Sequence, residues 1–171
     1  MRVMHSTTGR PSRRLASGFT LVEIVVSLAI IVLVFSSVIA AYISAAFRAQ
    51  WSGYNFAAQA LAMQQIEQAR AAKWDVMTTP PVDEVTNLSL QGWATSDGIT
   101  WTGYTTNTLD LPISGTNVIW ATNFCTISLI AFGNPTNYLH SVQVQTVWPF
   151  LWYNKTYLYT NTLVDYISPD Y

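Results

Sequence analysis

The sequence predicts an α+β protein in which one long N-terminal helix, its first half membrane-spanning, lies on a small antiparallel β-sheet. Three features predict it. Residues 24–47 run for twenty-four positions without a charge. A helical apolar stripe, free of proline, continues from there to residue 74. From Val82 onward the composition turns to Thr, Asn, Trp, Tyr, Val and Ile in short runs broken by turn residues.

The chain has 171 residues, enough for one domain with its own core plus an extended element. Half of the residues are hydrophobic and only 10% are charged, against about 25% in soluble domains. The uncharged run accounts for much of that excess. At about 1.5 Å rise per residue it exceeds the roughly 30 Å hydrocarbon core of a bilayer. Four of the eight basic residues, Arg2, Arg10, Arg13 and Arg14, precede residue 18, and no acidic residue accompanies them. From Phe19 on, four cations face nine carboxylates, a balance of −5. That part lacks the basic patch that phosphate contacts need, so no nucleic-acid partner is expected. Cys125 is the single cysteine and excludes a disulfide within the chain.

The first eighteen residues contain Gly, Pro, Ser and arginine with no apolar run longer than two, and they read as an unstructured tail. A secretory signal would place its apolar stretch before the small-residue site, and here the pair Ser17-Gly18 comes first. The arginine excess places this tail in the cytoplasm and everything after Phe47 outside. Beyond the span, Phe47, Trp51, Tyr54, Ala58 and Leu61 follow steps of four, three, four and three, and Ile66 and Ala69 repeat the three. Gly53 weakens this helix without ending it, whereas Thr79-Pro80-Pro81 ends it. A helix from Phe19 to about Lys73 would measure roughly 80 Å. The clearest strand is 139–148, with Val142, Val144, Thr146 and Trp148 alternating with Ser141, Gln143, Gln145 and Val147. Residues 155–164 can pair with it across 149–154. Residues 118–132 supply one or two more strands, and 99–111 is a weaker candidate. Such a sheet needs a cover on one face, and the helical stripe is the one available.

At the start of the span stand Ser17-Gly18-Phe19-Thr20-Leu21-Val22-Glu23-Ile24. Glu23 draws notice on physical grounds, because a carboxylate just inside an apolar span costs about 2.5–3.5 kcal/mol or more unless paired. The segment resembles the leader of type IV pilins and pseudopilins: a basic leader ending in Gly, an aromatic residue that becomes the new N-terminus, then Thr-Leu, then Glu. The resemblance implies that a prepilin peptidase cuts between Gly18 and Phe19 and N-methylates Phe19. It further implies that Glu23 pairs with the N-terminal amine of an adjacent subunit and sets register during assembly. On this reading 1–18 is a cleaved cytoplasmic leader and 19–47 a transmembrane and assembly helix. Residues 48–74 form the periplasmic amphipathic half of the same helix, and 75–171 a periplasmic β domain. The family's lollipop architecture agrees with the α+β reading above.

Two departures narrow the expectation. The first proline after Gly18 is Pro80, whereas major pilins often carry one in the membrane half, and a single cysteine cannot close a C-terminal disulfide loop. Residues 57–70 and 142–148 resemble the small-residue helix and late strand of minor pseudopilins. The expected role is a minor pseudopilin of a type II secretion system, held in the bacterial inner membrane and then incorporated into a fibre. Its implied partners are other pilin or pseudopilin subunits, the peptidase, the inner-membrane assembly platform and membrane lipid. The alternatives are a minor pilin of a surface or DNA-uptake pilus, or a bitopic membrane protein with an external β domain.

No catalytic constellation, metal cluster or cofactor is expected. Cys125 lies in an apolar strand-like run and reads as a buried thiol, and His140 reads as a residue of the core or sheet edge. One cysteine and the two histidines His5 and His140 cannot assemble a zinc site. Asp97, Asp110, Asp165 and Asp170 form no dense acidic loop of the kind calcium requires. Trp148, Tyr157 and Tyr159 read as core cover rather than as a carbohydrate platform.

Overall fold

The computed structural model of the chain describes residues 18–109, 118–133 and 137–169. The arginine-bearing tail, Ser114-Gly115, Asn134-Pro135, Asp110 and Asp170 lie outside them. The chain divides into two units, Met1–Ile43 and Ser44–Tyr171.

Helix α1, Leu21–Ala71, starts two residues later and stops two earlier than the apolar pattern suggests. In the first unit every described side chain is exposed, including Leu33 at 71%. A helix apolar on all sides has no soluble partner face, and α1 is long and apolar enough to cross a membrane. Two of its polar interruptions are satisfied internally. The Ser36 hydroxyl donates to the Val32 carbonyl and the Ser37 hydroxyl to the Val34 carbonyl, each at 2.7 Å.

In the second unit α1 buries Tyr54, Ala58, Ala62, Gln65, Ile66 and Ala69, a stripe at steps of four, four, three, one and three. The stripe lies on a five-stranded antiparallel meander. Its strands are β3 (Gln91–Thr95), β4 (Thr100–Leu109), β5 (Ile119–Phe132), β6 (Asn137–Trp152) and β7 (Lys155–Ile167), paired in chain order. A separate short ladder joins β1 (Trp74–Asp75) to β2 (Val82–Asp83), followed by a 3-10 turn at Val85–Asn87. The run 139–148 lies within β6 and 155–164 within β7, and the two pair as a hairpin. Within 118–132 there is one strand, β5, and β4 falls within 99–111, whose residues 110 and 111 lie outside the described ones. The β1–β2 pair and β3 were not expected, because two-residue bridges carry no periodicity and Gln91-Gly92 reads as a loop.

Pro149 was placed in a turn, and it lies instead within β6, opposite Leu158. The β5–β6 ladder runs only from Thr122↔Val147 to Phe132↔Asn137. Past Val147 one side of β6 has no strand neighbour, so a residue without an N–H is tolerated there.

Alternation along β5, β6 and β7 sends one face to α1. Two apolar clusters result. One gathers Ala62, Ile66, Trp74, Cys125, Ile127, Val142 and Val144, and the other Tyr54, Ala58, Leu109, Ala121, Trp148 and Phe150. Trp148 is fully buried and stacks on Tyr159 with ring centroids 5.0 Å apart, so both serve the core, while Tyr157 is 42% exposed. Between the clusters runs a polar link. Thr146 donates to Asn123 Oδ1 at 2.7 Å, and Asn123 Nδ2 donates to the Leu61 carbonyl at 3.1 Å. Further along, Asn161 Nδ2 reaches the Asn55 carbonyl at 3.1 Å. At the far end Arg70 donates to Asp165 at 2.7 Å, and that hydrogen bond holds the Asp165 carboxyl below its ordinary value. These contacts fix the helix along the strands at several points.

Gly103 faces Cys125 on the inner side of β4. A Cβ there would come within 2.7 Å of Trp93 Cε3 and 2.9 Å of Leu90 Cβ. Trp93 is itself pinned by its Nε1 donating to the Thr86 carbonyl at 2.9 Å. Gly103→Ala is therefore expected to lower stability by about 1–3 kcal/mol through overpacking. Denaturant titration followed by circular dichroism checks this, and an unchanged midpoint would show that Trp93 yields.

Candidate functional site

The N-terminal segment of the first unit carries the residues with an expected role. Residues 18–20 are non-helical and α1 begins at Leu21. The reason is local. Thr20 precedes the apolar run as an N-cap, and its hydroxyl accepts the Glu23 backbone N–H at 3.3 Å. Glu23 answers from the third helical position: its Oε2 accepts the Thr20 N–H at 2.8 Å and the Thr20 hydroxyl at 3.0 Å. This is a reciprocal capping box, which satisfies backbone donors that the first turn otherwise leaves open. A carboxylate in the first turn also meets the positive end of the helix dipole.

The structure thus brings Thr20 and Glu23 together. Thr20 was missed as a partner, although the Thr-x-x-Glu spacing ahead of an apolar run carries the signal. Part of the cost of a carboxylate at this position is offset within the chain, before any second amine approaches. Gly18 and Phe19 lie just upstream, with Phe19 83% exposed and no atom within 4 Å of where a Gly18 Cβ would stand. The peptide bond between them is accessible and unencumbered, as proteolysis requires. Hydrolysis there would put an amine on Phe19, next to the residue whose N–H already bonds Glu23.

The other candidates fall within the fold. Cys125 is buried in the sheet, and burial pushes its thiol up to about 12. His140 is fully buried, with its ring 4.2 Å from that of Trp74 and its Nε2 3.0 Å from Asp83 Oδ2. Register places Cys125 opposite Val144 and His140 opposite Leu129, so the two are not paired. Among the described residues no group of three or more His, Cys, Asp or Glu is placed to hold a metal. Asp97 closes the β3–β4 turn by accepting the N–H groups of Ile99 and Thr100 at 2.9 and 2.6 Å.

The Asp83–His140 contact ties the β1–β2 ladder to the sheet and predicts an acid dependence. Burial pushes the Asp83 carboxyl up, but the hydrogen bond and charge of His140 and the Thr86 and Val85 N–H groups outweigh it and leave it below 3.8. A depressed folded value means that its contribution is present above the unfolded value and is lost as pH falls through the folded one, below about pH 4. Asp83→Asn is expected to lose less stability than the parent between about pH 6 and pH 3. Denaturation midpoints at both pH values test this, and parallel losses would contradict it.

Residues 13–39 match the family model for the prokaryotic N-terminal methylation motif. No curated protein and no solved structure matches the chain.

Proposed function

We propose that this chain, type IV pilin-like and prepilin-type by its N-terminal segment, is a minor pseudopilin, cut between Gly18 and Phe19 and built into a short fibre through α1. The observation that carries the reading is the placement of Glu23. Its carboxylate sits at the head of a helix apolar enough to cross a membrane, inside a methylation motif and four residues after the amine that cleavage would release.

The proposed sequence of events follows from that placement. The leader of residues 1–18 stays in the cytoplasm while α1 enters the inner membrane and the β domain stands in the periplasm. Hydrolysis adds water across the Gly18–Phe19 bond and leaves a cationic amine on Phe19, which remains a cation after N-methylation. Glu23 then has an ionic partner at its own depth. On a free chain that partner is its own terminus, and in a fibre it is a neighbour's. Exchange of one for the other sets the axial step between subunits at no loss of neutralised charge.

Support for the pseudopilin reading over a surface pilin is the uninterrupted α1, which carries no proline, and the lack of a second cysteine. Deletion of the gene in its host tests this. Loss of a secreted protein from the medium with surface fibres intact supports the proposal. Loss of sheared surface fibres or of DNA uptake, with secretion intact, overturns it in favour of a pilus.

A further inference from the structure

We infer that the tip of the β6–β7 hairpin is a membrane-interface anchor, seated in the headgroup layer of the bilayer leaflet where α1 emerges. The inference rests on α1 crossing a membrane, and its test separates the two.

The hairpin closes in a two-residue turn, Tyr153-Asn154, with φ of 44° and 64°. Such turns favour Asn-Gly, and a tyrosine at the first position takes a backbone conformation that side-chain-bearing residues seldom enter. What it presents there is a ring 63% exposed. On the outward face behind it stand Leu151, 56% exposed, and Leu158, 73% exposed. Further along the same face Gln145, Gln143, Thr160 and Thr162 intervene before exposed apolar side chains recur at Val164 and Tyr166, so the tip is a patch of its own.

The position of the tip identifies the occupant. Tyr153 and Trp152 pack on Phe47, with ring centroids 5.4 and 5.6 Å away. Phe47 is the last residue of the uncharged run, and about twenty residues from Ile24 already cover the hydrocarbon core. Phe47 and the tip it touches therefore stand at the level where hydrocarbon gives way to headgroups. Tyr and Trp concentrate at that depth because each combines an apolar ring with a polar edge. Two cations complete the pattern. Arg48 lines a shallow cleft with Trp51, Trp152 and Tyr159, and Lys155 Nζ lies 5.4 Å from the Tyr157 ring centroid. Both suit anionic headgroups. The Asp165 carboxylate of the same hairpin stands at its opposite end, facing Val142.

The test uses the full-length chain in vesicles of phosphatidylethanolamine and phosphatidylglycerol, with single labels on Leu151→Cys, Leu33→Cys and Val164→Cys. The native Cys125 is buried and takes no label in the folded chain. The polarity-sensitive fluorophore at 151 is expected to shift to the blue and to be quenched by lipids brominated near the headgroup. That at 33 should be quenched by lipids brominated near the bilayer centre, and that at 164 by neither. Quenching at 33 with none at 151 overturns the tip anchor and leaves the span intact. Absence of quenching at 33 overturns the span itself. A blue shift at 151 that grows with protein-to-lipid ratio and is not quenched by brominated lipid shows that a second copy covers the tip, and it also overturns the anchor. Charge is tested by replacing phosphatidylglycerol with phosphatidylcholine, which should weaken the quenching at 151, whereas unchanged quenching would remove Arg48 and Lys155 from the account.

Discussion

Gly18→Asp is expected to leave the chain uncut, so that the protein recovered from membranes retains the four arginines of its leader and does not enter fibres. The structure makes this substitution informative. A Cβ at residue 18 meets nothing within 4 Å, and Gly18 does not adopt a positive φ, so the change strains neither the backbone nor the helix cap. Any loss of processing then arises in the peptidase, where a charged side chain replaces a hydrogen beside the scissile bond. The effect should approach complete loss of the mature form on a mass spectrum, with the folded β domain unchanged by circular dichroism. Normal cleavage would refute Gly18 as the recognition residue.

The second large effect is expected at Glu23, where two roles must be told apart. As the N3 partner of the cap, the carboxylate contributes about 0.3–1 kcal/mol to the first turn. As a partner for an amine inside an apolar span it spares about 2.5–3.5 kcal/mol or more. Glu23→Gln retains an acceptor for the Thr20 N–H and hydroxyl and loses the charge, while Glu23→Ala loses both. Both variants should still be cleaved, and both should fail to enter fibres. Thr20→Val gives the converse, weakening the cap while leaving the carboxylate, and should still assemble. Fibre content measured in sheared or cross-linked fractions decides among them. If Glu23→Gln assembles like the parent, Glu23 is a cap and nothing more.

Much of the fold was legible because it depends on periodicity. The stripe from Phe47 to Ala69 marks one helix face, and Tyr54, Ala58, Ile66 and Ala69 from it are buried. Alternation in 139–148 marks a strand with two faces, and Val142, Val144, Thr146 and Trp148 all turn inward. What escaped depends on contacts distant in sequence. β3 exists because Trp93 lies across Gly103 and anchors on Thr86, and none of these residues signals a strand in its own neighbourhood. Pro149 looks like a turn residue until the β5–β6 ladder is known to stop at Val147. At the N-terminal site the motif is legible residue by residue, and the Thr20–Glu23 cap is a local signal in the Thr-x-x-Glu spacing that the cost of the intramembrane charge overshadows.

Maturation must create an amine beside Glu23. Mass spectrometry of the protein purified from its own host reads the N-terminus directly. The predicted result is a chain that begins at Phe19 with its amine methylated. A chain that retains the arginine-bearing segment, or begins at any other residue, contradicts the account.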